Sequence, residues 1–144
     1  MRNLTLIPLT VLLFLTGIGL SNDTEVSEES ILVSYAQDLY RQSGLNMPRS
    51  AFDLEETKDG MRIFFVNLIS RKSSLSADVL EAFLKGGAVS QHARQPFDFI
   101  VISAELEFSQ DTKIIFQAGG ECCENLYNNR MTVENFTQSC LRMK

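Results

Sequence analysis

Apolar positions recur at two periods along this chain, and the places where the period changes divide it into elements. Ile31, Leu32, Tyr35, Ala36, Leu39 and Tyr40 fall on one face of a helix. Ser27 stands where a cap belongs, Glu28 and Glu29 follow in the favourable first turn, and Gly44 ends the run. After the loop "LNMPRS" the period shortens. Phe52 and Leu54 alternate with acids, Lys58-Asp59-Gly60 offers a turn, and Met61 to Leu68 is rich in strand-forming residues, so residues 52–68 predict a hairpin.

Helical spacing returns at Val79, Leu80, Phe83 and Leu84, with Ser76 as a candidate cap. Gly86-Gly87 could end this helix. Gly87 and Ala88 nevertheless continue its stripe, which predicts a helix running on to about His92, with the small residues allowing close approach of a neighbour. Two glycines cost such a helix about 1 kcal/mol each relative to alanine. Beyond Gln95-Pro96, "FDFIVISAELEF" is the longest strand candidate. Its second half alternates, with Ala104, Leu106 and Phe108 on one face. Its first half is apolar on both faces, which predicts a central, covered strand. "SQDT" predicts the turn into a strand at "KIIFQ", Asn128-Asn129 a further turn, and Thr132 the cap of a last helix carrying Val133, Phe136, Cys140 and Leu141. The expected fold is α+β: an antiparallel sheet of about four strands in two hairpins, helices packed on one face. It forms a single domain over residues 30–144, with no internal repeat.

The N-terminus has a different character. Arg2 precedes an apolar run from about Leu4 to Leu20, and Gly19 and Ser21 make a small-x-small exit. This is the pattern of a signal peptide over residues 1–21, cleaved after Ser21 and followed by a polar tether over 22–29. The alternative is a membrane anchor formed by residues 4–20, a run just below the roughly 20 apolar residues that a spanning helix needs. Both readings place the folded part outside the cytosol, periplasmic or extracellular. The chain carries 13 Lys+Arg against 18 Asp+Glu, a net charge of −5. With no basic run, this argues against nucleic acid as a partner and leaves protein as the expected one, with a membrane involved only if the N-terminus is uncleaved.

Chemistry is concentrated in one stretch, "GGECCENLYNN" at residues 119–129. Three cysteines and one histidine do not make the paired spacings of a structural zinc site, and adjacent cysteines are not the C-x-x-C of a redox centre. No metal or other cofactor is expected. A cysteine nucleophile needs a histidine base, and His92 is the one histidine in the chain. No catalytic signature of the G-x-S-x-G, P-loop or H-E-x-x-H kind occurs. The acid pairs Glu28-Glu29 and Glu55-Glu56, and Glu121 and Glu124 beside the cysteines, read as solvated surface. In an oxidising compartment the cysteines serve best as a staple. One of the pair is expected to bond Cys140, with Cys123 chosen over Cys122 as the partner, closing a loop of about seventeen residues worth on the order of 3 kcal/mol. A vicinal Cys122–Cys123 bond is the sharper alternative. Asn22 and Asn135 head glycan-acceptor triplets, Asn135 within an expected helix. The function expected is that of a small exported, non-catalytic binding module. The alternatives are a thiol- or carboxylate-dependent enzyme centred on residues 121–124 and a membrane-tethered accessory subunit.

Overall fold

The computed structural model describes residues 26–144. The expected signal peptide, the Asn22 triplet and the first half of the expected tether, residues 22–25, lie outside the described residues.

Helix α1 spans Glu28–Gln42, and the Ser27 side chain accepts from the Ser30 N–H at 3.2 Å as the expected cap. Gly44 ends the helix with φ +83°, a conformation other residues rarely adopt. The buried stripe is Leu32, Val33, Ala36 and Tyr40; Ile31 faces outward, so the true face is rotated from the expected one. A short 3₁₀ turn, Arg49–Ala51, leads into strands β1 (Phe52–Glu56) and β2 (Arg62–Ser70). These pair antiparallel around a turn in which Gly60 has φ +80°. Helix α2, Leu75–His92, passes through both glycines without a break. Strands β3 (Phe99–Leu106) and β4 (Ser109–Gly119) form the second hairpin, and α3 (Gly120–Tyr127), α4 (Val133–Ser139) and the two-residue β5 (Arg142–Met143) complete the chain.

The sheet has five strands in sequence order, β1-β2-β3-β4-β5, and is mixed rather than antiparallel. Both expected hairpins are present. Between them, however, α2 carries the chain back along the sheet, so β3 starts at the end where β2 started. The two strands therefore pair parallel, Phe64 beside Ile100 and Leu68 beside Ala104. Two elements carry no expectation from the sequence: α3, whose opening glycines are a turn signal rather than a helix signal, and β5, too short to show a period.

The helices lie on one face of the sheet. Phe52 from β1, Phe64, Val66 and Leu68 from β2, Ile100, Ile102 and Ala104 from β3, and Ala118 from β4 point into the core with the helical stripes. Aromatic rings run through it: Tyr40 meets Phe52 edge-on at 5.0 Å, and Phe83 meets Phe136 at 5.5 Å. The Tyr40 hydroxyl donates to the Ala82 carbonyl at 2.6 Å, which ties α1 to α2 and satisfies a buried polar group.

Candidate functional site

The cysteine stretch is a packing device. A Cβ on Gly120 would overlap the Phe97 carbonyl oxygen, and one on Gly87 would overlap the Cys123 carbonyl oxygen. Only glycine at both places lets α3 press backbone-close onto α2 and the strand entry. On α3, Cys123 and Leu126 are one turn apart and both buried, so they form the inward face. Cys122 sits about 100° round the helix from its neighbour, half-buried and directed sideways.

The bridge accordingly joins Cys122 to Cys140, across a Cα separation of 6.2 Å, and Cys123 is a free, buried thiol. The expected pair Cys123–Cys140 is thus corrected. A turn leaves the direction of each side chain open; a helix assigns Cys123 to the core and Cys122 to the flank. Cys140 caps the end of α4, so the bond fastens α4 to α3.

The neighbouring groups follow the same logic. Burial first, then the Glu124 charge, pushes the Cys123 thiol far above its ordinary range, so it stays protonated at neutral pH. Burial, with Cys123 a lesser cause, also raises Tyr40 well above its ordinary value. The Ser90 hydroxyl donates to the Glu124 carboxylate at 2.8 Å and accepts from the Phe97 N–H at 3.0 Å. Glu124 therefore braces the end of α2, and Glu121 is exposed. Glu28 accepts from the Arg94 N–H at 2.9 Å and pairs with Arg62 at 3.4 Å. Glu29, Glu55 and Glu56 are exposed.

His92 lies at the end of α2 with its ring stacked on Tyr35, centroids 4.2 Å apart. The hollow beside it is lined by Tyr35, Ala88, Gln91, Tyr127 and Asn128, and neither Cys122 nor Cys123 belongs to it. Histidine and thiol are therefore not brought together as a nucleophile–base pair. Among the described residues, no three His, Cys, Asp or Glu side chains stand where they could share a metal ion.

Among the described residues, no helix covers the sheet's other face. Ile63, Phe65, Phe99 and Val101 are half-buried on it, while Ile69, 70% exposed, and Ile115, 38% exposed, stand out further. Phe99 and Val101 were expected to be covered on both sides of the sheet; all the helices pack on the opposite side. At the rim, the β3–β4 turn comes earlier than expected. Leu106 pairs with Ser109, so Glu107 and Phe108 form the tip. Phe108 does not join the face of Ala104 and Leu106. It takes φ +69° and is 96% exposed. The signal for this face was present in "RIFFVNLIS" and "FIVIS", whose apolar residues occupy both alternations.

No protein-family model matches the chain, and no curated protein or solved structure matches it either.

Proposed function

We propose that this domain works by binding a protein partner through the uncovered face of its sheet, outside the cytosol. The apolar strip on that face carries the reading. Single exposed apolar residues are ordinary, whereas a set spread over three adjacent strands is a surface that gains from being covered. Phe108 adds to it. The left-handed backbone region costs a non-glycine residue about 1–2 kcal/mol, and this ring recovers nothing from the fold because it is almost wholly in solvent. A side chain that costs stability and contributes no packing is best accounted for as an anchor for something else.

The compartment rests on two supports. A bridge such as Cys122–Cys140 persists where the surroundings are oxidising. Residues 1–21 have the composition of an export signal. No helix among the described residues is long and apolar enough to cross a membrane.

Capture of partners by the tagged domain in its producing cells tests the reading. Wild type should retain a specific protein, and Ile69→Asp and Phe108→Asn should each lose it without any loss of stability. Retention of the same partner by both variants would overturn the assignment of the surface.

A further inference from the structure

One corner of the open face is concave and chemically unlike the rest. β1 pairs with β2 only along Arg62–Val66, so the later part of β2 has no strand on its β1 side. The chain between α1 and β1 fills that side as a wall. Arg49 fastens the wall to α1, donating to Ser34 Oγ at 2.6 Å and to Ser30 Oγ at 2.8 Å, and the Gln37 amide donates to the Met47 carbonyl at 3.2 Å. Between the wall and the sheet lies a cleft of about 290 Å³. Its floor follows the register: Asn67 beside Ser103 in one row, then Ile69, Glu105 and Lys113 side by side in the next.

Glu105 and Lys113 are directly opposite on an antiparallel pair, a placement that holds Cβ atoms about 4.5–5.5 Å apart and ordinarily lets opposite charges pair. They do not pair here. The strand register breaks immediately after Glu105, where Leu106 is already opposite Ser109. Among the described residues, neither charge has an ion pair, and Asn67 and Ser103 make no side-chain hydrogen bond. Close by, in contrast, Arg71 pairs with Glu107 at 2.9 Å and the Ser70 hydroxyl donates to Asp78 at 2.6 Å. The cleft thus presents a carboxylate, an ammonium, an amide and a hydroxyl, all uncommitted, beside the apolar surfaces of Met47, Pro48 and Ile69.

From this we infer that the cleft binds a free α-amino acid with an apolar side chain, its ammonium on Glu105 and its carboxylate on Lys113. A lone cation in the cleft faces Lys113 and a lone anion faces Glu105; a small zwitterion satisfies both at once. Asn67 and Ser103 supply further hydrogen bonds to its polar end. Met47, Pro48 and Ile69 accept its side chain, and the absence of a third charge on the floor disfavours a charged one. The inference shares Ile69 with the protein-binding reading but rests on the uncommitted polar groups beside it, and goes beyond that reading.

The test is a nuclear magnetic resonance titration of the folded, oxidised domain with L-leucine, N-acetyl-L-leucine and L-leucinamide. L-Leucine should shift the amide signals of residues 67–69, 103–105 and 113 saturably. The analogue without an ammonium and the analogue without a carboxylate should each bind at least about tenfold more weakly, the loss of one charge-assisted contact. Glu105→Gln and Lys113→Gln, both surface changes that should leave melting unaltered, should each weaken L-leucine by a similar factor. No saturable shift with L-leucine, equal binding of the blocked analogues, or undiminished binding by both variants would overturn the proposal. No partner protein is present in this titration, so its outcome and that of partner capture are read separately.

Discussion

Gly87 of α2 rests against the backbone carbonyl of Cys123 with no room for a Cβ between them. Gly86, its neighbour, faces side chains rather than backbone: a Cβ would lie 3.0 Å from Ile100 and 3.6 Å from the Tyr40 hydroxyl. A flexible side-chain end can move aside; a helix backbone cannot without α3 moving. Gly87→Ala should therefore lower stability by about 1–3 kcal/mol despite alanine's better helix propensity, and Gly86→Ala should be close to neutral. Urea unfolding of the two variants checks the contrast. Equal effects would mean that α2 and α3 do not approach this closely.

The bridge predicts a pattern across the three cysteines. Cys122→Ser and Cys140→Ser should each cost on the order of 3 kcal/mol, and the double variant no more than either, since one bond can be lost only once. Cys123→Ser should destabilise by a separate route, burying a hydroxyl in the core, and should add to the loss of the bridge. Non-reducing peptide mapping should recover Cys122 linked to Cys140. Cys123 should resist alkylation until denaturant is added.

A pH dependence follows from Cys123. Its folded pKa lies above its unfolded value of about 8.5, so between the two the folded state keeps a proton that the unfolded chain gives up. The stabilising contribution is complete below about pH 8.5 and is lost as pH rises beyond it. The slope approaches about 1.4 kcal/mol per pH unit, and Tyr40 adds a second decline from about pH 10. Cys123→Ala should flatten the profile between about pH 8.5 and 10 and leave the higher decline in place. Stability measured by urea titration across pH 7–11 reads both; an unchanged slope in the variant would contradict the burial of this thiol.

Phe108 separates folding from binding. Asparagine tolerates the left-handed region better than phenylalanine, so Phe108→Asn should raise stability by up to about 1 kcal/mol while abolishing partner capture. Phe108→Ala keeps the backbone strain and should lose capture without the gain. Loss of stability in the asparagine variant would show that the ring packs against the domain.

Much of this was legible beforehand where one residue type answers one local need. Ser27 and Thr132 cap because an N-terminal N–H needs an acceptor, Gly60 turns because its φ is positive, and the stripe through Gly87 and Ala88 kept α2 whole. What escaped depended on long-range placement. The parallel β2–β3 pair follows from where α2 delivers the chain, which no window of sequence encodes. The choice between Cys122 and Cys123 depended on α3 being a helix, and its opening glycines concealed that: Gly120 serves close packing on Phe97 rather than a turn. The open face escaped because a strand apolar on both sides reads as covered on both sides, and nothing local reveals whether the cover belongs to the same chain.

A photo-crosslinking side chain placed at Ile69 on the open face, and separately at Ile31 on the exposed flank of α1, tests the binding surface most directly. In the producing cells, illumination should yield a discrete protein adduct from position 69 and none from position 31. Adducts from position 31 with none from position 69 would place the interaction on the helical side and contradict the account.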